Sequence, residues 1–305
     1  MISYKKIIKN KLFLSLIVLL IFLFLTSCNR GSSQEEVSVN LEQNYQSGYN
    51  GLKIELVENY PPENVFVNSV FSIAIKLSNQ GAYKLFDGTI EVLGFDNQFI
   101  EMHDLNEGKR FPVSSTYMYG KNIENPSGDI NHIEFSGQTK ELKRGAESYD
   151  ATFFVKAGYD YSNELVTTVC VNPSSYEVYD GGCKAQDTLT FYGQGAPLSI
   201  TEIEQITNTG GDKEIRFVVT IENKGSGEAE SITLTDYKIG GESMECEFRK
   251  NSNSNSNMFI FEEEQKVQLV CNSAIIASSS YETSLHISYH FTYSEKIKGS
   301  FNLLE

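Results

Sequence analysis

The sequence predicts an all-β protein of two tandem antiparallel β-sandwiches behind an N-terminal apolar signal or anchor helix. Apolar residues alternate with polar or small residues along much of the chain, for example at Phe71, Ile73, Ile75 and Leu77. This period is typical of half-buried strands. One strand pattern occurs twice in the same order. The 305 residues leave room for two domains of ordinary size.

The first 28 residues have the features of an export signal. Four lysines precede an apolar run at residues 12–25, which is shorter than the roughly 20 residues of a membrane span. The next residues complete Leu25-Thr26-Ser27-Cys28, which resembles the lipobox of secreted lipoproteins. The resemblance implies that the Cys28 thiol is acylated and that the chain is cut just before it. The alternative is that residues 1–28 are an uncleaved membrane anchor.

Both alternatives predict a protein anchored in the cell membrane and facing the extracytoplasmic side, because the lysine cluster stays on the inner side. Residues 29–51 are polar and have no sustained period, so we expect a flexible tether. The chain has 25 basic against 40 acidic residues, a net charge of -15. Such a chain repels anionic headgroups and phosphate backbones, which argues against nucleic acid as a partner.

The cysteine count agrees with export. If lipid occupies Cys28, an even set of four cysteines remains for disulfides in an oxidising compartment: Cys170, Cys183, Cys246 and Cys271. Four cysteines allow three connectivities, and the sequence does not fix which one occurs. We favour Cys170 with Cys183 and Cys246 with Cys271, because each pair then falls within one domain. The spacing of zinc sites does not occur, so no metal is predicted.

Two matches within the chain predict the domain organisation. FSIAIKLSNQGA at residues 71–82 matches IRFVVTIENKGS at 215–226, with alternating apolar residues followed by Asn-Gln-Gly or Asn-Lys-Gly. YDATFFVKAGYDYSNEL at 149–165 aligns without a gap to YETSLHISYHFTYSEKI at 281–297. Two matches in the same order indicate two copies of one unit.

The boundary between the copies is predicted near Gly195, in a Gly- and Pro-containing segment. The predicted domains are therefore residues 52–195 and 196–305. Each copy contains about seven short strands with turn residues between them, which is the pattern of a Greek-key sandwich.

Particular residues make this pattern similar to known surface proteins. Tyr149 and Tyr281 resemble the tyrosine corner of immunoglobulin-like domains, although the buried Trp of antibody domains is missing. The segment IRFVVTIENKGSGEAE resembles the CARDB-like, adhesion-related immunoglobulin-fold modules of archaeal and bacterial surface proteins. This resemblance implies two immunoglobulin-like sandwiches, and extracellular interaction or structural display, usually without catalysis.

The residues that could form a metal site or a catalytic site have simpler structural interpretations. His286 and His290 are four apart, but four residues of a strand span about 13 Å, too far for one ion, so we predict histidines that face solvent. The oxygen-rich segment DYSNE at 160–164 could bind Ca²⁺, yet the same residue types favour a hairpin turn, and we predict the turn. The motifs GxSxG, SxxK with partners and HExxH do not occur. We therefore predict no catalytic residue, no metal and no cofactor.

The predicted function is a non-catalytic protein-interaction, adhesion or envelope-structural module, lipid-anchored at the cell surface. Its expected partners are the membrane, other cell-envelope proteins or surface glycans. The alternative is a carbohydrate- or solute-binding surface lipoprotein, which predicts an aromatic-lined concavity in one copy only; a hydrolase accessory domain is the third alternative. Exposed tyrosines could form such a platform, and the notable ones are Tyr117, Tyr119, Tyr159, Tyr161, Tyr176 and Tyr179.

Overall fold

A computed structural model describes residues 45–103, 108–112, 117–173, 182–208, 214–249, 257–274 and 279–305, which belong to one compact unit. The predicted N-terminal helix, Cys28 and most of the tether lie outside the described residues. Within those ranges, no helix combines the length and apolar character that crossing a bilayer requires.

The prediction of an all-β chain is confirmed. The described residues contain seventeen strands: β1 (Leu52–Leu56), β2 (Asn64–Phe66), β3 (Val70–Asn79), β4 (Gly88–Leu93), β5 (Ile100–Met102), β6 (Lys109–Phe111), β7 (Ile130–Thr139), β8 (Ser148–Val171), β9 (Thr188–Thr190), β10 (Leu198–Asn208), β11 (Glu214–Asn223), β12 (Glu228–Ile239), β13 (Glu242–Ser243), β14 (Glu245–Phe248), β15 (Met258–Ile260), β16 (Lys266–Ala274) and β17 (Tyr281–Leu304).

The strands form three sheets, and their order repeats the duplication seen in the sequence. One sheet has the order β1-β3-β7-β5 and another β14-β16-β11-β10-β9. The matched segments are β3 and β11, which occupy equivalent positions beside β1 and β10. The third sheet has eight strands, with β13-β12-β17-β8-β4-β6 as its path, β15 on β12 and β2 on β17. This architecture is consistent with β-sandwich packing.

The long strands β8 and β17 have 24 residues each and pair antiparallel along their whole length. The ungapped match of the two copies makes Asp160 equivalent to Thr292, and these residues face each other in the register. Tyr293 is the equivalent of Tyr161 and faces Tyr159. Equivalent residues are therefore related by a local twofold axis at the Asp160–Thr292 pair.

Each long strand begins beside its own copy and ends beside the other. Near the end of β17, Phe301 packs against Phe71 and Phe153 of the first copy, with ring centroids 4.9 and 6.4 Å apart. The last residues of β17 also pair with β2. Near the end of β8, Gln205 Nε2 of the second copy donates a hydrogen bond to the Cys170 carbonyl at 2.6 Å.

The predicted limits 52–195 and 196–305 follow the sequence repeat, but they do not follow the hydrogen-bonded sheets. One eight-stranded sheet contains strands of both copies, and buried residues of both copies form one cluster. The physical reason is that alternation specifies which face of a strand is buried and leaves its pairing partner open.

The Asn-x-Gly ends of β3 and β11 close equivalent turns. Asn79 is fully buried, and its Nδ2 donates to the carbonyls of Tyr83 and Met118 at 2.8 and 3.0 Å. Its Oδ1 accepts hydrogen bonds from Gly81 N and Tyr161 Oη at 3.3 and 3.1 Å. A Cβ on Gly81 would lie 2.2 Å from Tyr161 Oη, so the motif requires glycine there.

The second copy repeats this contact. Tyr293 Oη donates to Asn223 Oδ1 at 2.9 Å, and Asn223 Oδ1 also accepts from Gly225 N at 3.1 Å. The hydroxyl that ties a strand to a distant turn therefore belongs to Tyr161 and Tyr293. The residues expected in this role from the sequence differ, because Tyr149 packs on Phe99 and Tyr281 is exposed.

The two disulfides have the pairing favoured from the sequence. Cys170 at the end of β8 is bonded to Cys183, with Cα atoms 5.7 Å apart. Cys246 of β14 and Cys271 of β16 face each other in neighbouring strands, with Cα atoms 4.0 Å apart. The second bond therefore joins strands that the sheet already brings together.

Candidate ligand-binding grooves

The outward face of the long strand pair presents a row of polar side chains. Odd-numbered residues in the middle of β8 and β17 face the core, and even-numbered residues face solvent. The segment 160–164, for which the sequence predicts a turn, lies in the middle of β8. Its turn-type residues are tolerated because Asp160 and Glu164 project into solvent. Their side chains thus become part of a surface that spans both copies.

Two grooves lie side by side on this surface and share Asp160 and Thr292. We call the first the acidic groove; its volume is about 330 Å³ and its lining includes Asp87, Gly88, Thr89, Glu91, Lys156, Gly158 and Glu230. We call the second the aromatic groove; its volume is about 460 Å³ and its lining includes Phe86, Ser162, Ser231, Thr233 and His290. Both volumes are in the range of small-molecule sites.

The local twofold axis relates the two grooves. Extending the match of residues 71–82 with 215–226 without a gap makes Phe86 equivalent to Glu230. The match of residues 149–165 with 281–297 makes Gly158 equivalent to His290. Phe86 and His290 line the aromatic groove, and their equivalents Glu230 and Gly158 line the acidic groove. The grooves therefore have equivalent backbones and different side chains.

Polar side chains of the aromatic groove are held by one another. Ser162 Oγ and His290 Nδ1 share a hydrogen bond of 2.7 Å. Thr292 Oγ1 donates to Asp160 Oδ1 at 2.9 Å and accepts from Ser231 Oγ at 3.3 Å. Because these contacts fix the side chains without a ligand, little conformational entropy would be lost on binding.

Phe86 lines the same groove, and the ring of Tyr117 lies next to it. A β-bridge joins Leu85 to Met118, both fully buried, so Phe86 and the residues on either side of Met118 point outward. Phe86 is 57% exposed and lies 6.1 Å from the Tyr117 ring. Tyr119 packs on Tyr117 at 4.7 Å, and the Lys84 ammonium lies 5.0 Å from each tyrosine ring. Of the other notable tyrosines, Tyr159 and Tyr161 are buried, and Tyr176 and Tyr179 lie outside the described residues.

One ion pair crosses the acidic groove, and another lies at its edge. Lys156 Nζ lies 3.7 Å from Glu230 Oε1, and Arg110 lies 3.8 Å from Asp87 Oδ2 at the groove's edge. All four side chains are substantially exposed. Pairs of this kind contribute about 0–1 kcal/mol to stability because water and salt screen them. They also occupy the positively charged groups that could otherwise receive an anionic ligand.

Both predicted histidines lie on the outward face. His290 is exposed, whereas His286 is half-buried between Glu164, at 2.7 Å, and Asp236, at 3.4 Å. The close contact of His286 Nε2 with Glu164 lacks hydrogen-bond geometry. A hydrogen bond from Lys238 is the main reason why the pKa of Asp236 is lowered, and His286 adds to it. Among the described residues, no three His, Cys, Asp or Glu side chains group as a metal site.

Two inward-facing polar residues near the axis were not recognised from the sequence. Asn163 is buried, and its Nδ2 donates to Tyr289 Oη, the Leu198 carbonyl and Gln194 Oε1 at 2.8, 2.9 and 3.1 Å. Its equivalent in β17 is Glu295, whose pKa is raised to about 7 by burial. The available signal was that both residues have odd numbers, and odd-numbered residues of these alternating strands face the core.

No family model matches the chain, and no curated protein matches it. Among solved structures, a crystal structure of the serine-rich repeat adhesion glycoprotein Srr1 from Streptococcus agalactiae aligns at 6% identity and a TM-score of 0.17. The alignment covers 86% of this chain and 97% of that chain. A likeness of this size carries no argument about fold or function.

Proposed function

We propose that this chain is a lipid-anchored protein of the extracytoplasmic cell surface that acts as a non-catalytic interaction or adhesion module. The observation that carries the proposal is the pair of open grooves on the outward face of a sheet shared by both copies. Their polar side chains are paired with one another, an arrangement suited to recognition. Envelope-structural display is part of the same proposal, with envelope proteins or surface glycans as partners.

The cellular location in this proposal is inferred from the N-terminal sequence and the cysteines. The lysines, the apolar run and Cys28 together have the pattern of a lipoprotein signal. Two disulfides suit an oxidising compartment outside the cytoplasm. We further propose that the repeated unit is immunoglobulin-like, because both copies have the same order of four strands and each provides one strand of the long pair.

Replacing the proposed lipid acceptor tests the anchor. Cells that produce the full chain or Cys28→Ser are given a labelled fatty acid, then fractionated and treated with protease before lysis. The wild type should carry label and be cleaved on intact cells, whereas Cys28→Ser should carry none. The matched control Ser27→Ala keeps a small residue before the cysteine and should retain the label. Label on Cys28→Ser would refute the anchor.

Attachment of intact cells tests the interaction module. Cells displaying the full chain should bind surfaces coated with envelope glycans or envelope proteins better than cells that lack it. Equal attachment of the two strains to every coating would contradict the proposed function.

Carbohydrate or solute recognition is the second candidate function, and one observation favours it. The aromatic residue Phe86 stands in one groove only, because Glu230 occupies the equivalent position in the other. An aromatic-lined concavity in one copy only is the asymmetry that carbohydrate or solute recognition predicts.

A further inference from the structure

We propose that the aromatic groove binds a neutral saccharide whose ring stacks on Phe86 and whose hydroxyl groups are bound around Asp160 and His290. The proposal rests on the interaction function stated above and names its ligand class. It concerns a defined site, so it is tested without reference to the membrane anchor.

The aromatic side chain of Phe86 is placed where a ligand can stack on it. Burial of the neighbouring Leu85 and Met118 forces Phe86 outward, where it exposes 57% of its surface beside Tyr117. The face of an aromatic ring carries partial negative charge, and the C–H groups of a sugar ring carry partial positive charge. A flat ring beside a groove therefore offers a stacking platform for the apolar face of a saccharide.

The groove beside that ring is polar. Its side chains include one carboxylate, one imidazole and the hydroxyls of Ser162, Ser231, Thr233 and Thr292. Hydroxyl and imidazole groups both donate and accept hydrogen bonds, which matches the hydroxyl groups of a sugar. The volume of about 460 Å³ accommodates a small ligand.

The charge around the aromatic groove favours a ligand without negative charge. The groove contains Asp160, and the chain carries a net charge of -15. The nearby Lys84 ammonium already lies against the faces of Tyr117 and Tyr119. An anionic sugar would meet a carboxylate here, so neutral and N-acetylated saccharides fit better than acidic ones. Since few contacts are available, we expect a dissociation constant of about 1 mM.

The experiment uses the full chain in a detergent without a sugar headgroup. An array of neutral, N-acetylated and acidic oligosaccharides is probed first, and the strongest neutral binder is then titrated in solution with saturation-transfer NMR. Phe86→Ala should weaken binding about tenfold or more, and Phe86→Trp should retain it because the platform is preserved. The matched control is Glu230→Ala, the equivalent change in the acidic groove, which should leave the affinity unchanged.

Thermal melts of all variants show whether the fold is kept, and the exposure of Phe86 makes this the expected result. No binding of any neutral or N-acetylated saccharide at about 10 mM would overturn the proposal, as would binding of acidic sugars alone. Equal effects of Phe86→Ala and Glu230→Ala would also overturn it. Because the protein is in detergent, a failure here is separate from a failure of the anchor or of cell attachment.

Discussion

The acidic and aromatic grooves occupy equivalent places in the two copies, yet they offer a ligand different chemistry. The acidic groove has four carboxylates and Lys156, whereas the aromatic groove has a phenyl ring, hydroxyls, one carboxylate and His290. The differences lie in outward-facing side chains, since the paired strands beneath are related by the twofold axis. Outward side chains do not contact the core, so each groove can change while the sheet is preserved.

The largest expected effect concerns the turn contacts that support both copies. Asn79→Ala should lower the free energy of unfolding by about 3 kcal/mol, because it leaves several buried partners without hydrogen bonds. Asn223→Ala should cost less, about 2 kcal/mol, because its site is only partly buried. Equilibrium unfolding in urea measures both, with exposed Asn97→Ala as the control. A larger loss of unfolding free energy in Asn223→Ala than in Asn79→Ala would contradict this prediction.

The next effect distinguishes the inward-facing equivalents Asn163 and Glu295. The pKa of Glu295 in the fold, about 7, is above the ordinary value of 4.5. Folding therefore favours its protonated form, and stability is lost as the pH rises from about 4.5 through 7. Glu295→Gln should remove that part of the decline and raise stability at pH 8 by about 1–3 kcal/mol.

Thermal melts at pH 5 and pH 8 measure the difference in stability between Glu295→Gln and the wild type. The exposed acid Glu282 lies on the same strand, and Glu282→Gln should leave the decline in place. A constant difference between Glu295→Gln and the wild type across this pH range would contradict the assignment.

A smaller effect should separate the grooves by their polar side chains. Ser162→Ala and His290→Ala each break the 2.7 Å contact between them, so each should weaken binding of the neutral saccharide about three- to tenfold. Lys156→Ala, in the acidic groove, should leave it unchanged. The same NMR titration measures the saccharide affinity of all three variants. A loss of affinity confined to Lys156→Ala would assign the ligand to the acidic groove.

The smallest effect concerns the ion pair across the acidic groove. Lys156→Met and Glu230→Gln should each change the free energy of unfolding by less than about 0.5 kcal/mol, because both side chains are exposed. Urea unfolding at low and high salt measures this. A loss above about 1 kcal/mol would show that this groove stabilises the sheet as well as lining it.

Alternation and repetition were sufficient to predict an all-β chain and the duplication of one strand pattern. The match of FSIAIKLSNQGA with IRFVVTIENKGS located β3 and β11, which have the same place in their sheets. The preferred cysteine pairs also agree with the structure. The strand pattern is local, so the sequence carries it directly, whereas the cysteine pairs were chosen by keeping each pair within one domain.

Pairing between the copies could not be predicted in the same way. Residues 160–164 have the composition of a turn, and this composition concealed the continuity of β8. The unbroken alternation of Tyr159, Tyr161 and Asn163 was the opposing signal. The grooves could not be located without the pairing, because each combines residues that are more than 100 positions apart in the sequence.

The pairing of β8 with β17 has the geometry by which identical subunits associate around a twofold axis. Here both partners belong to one polypeptide, so their association is intramolecular and does not weaken on dilution. A solitary molecule retains the complete eight-stranded sheet and both grooves. It needs no second chain to assemble them.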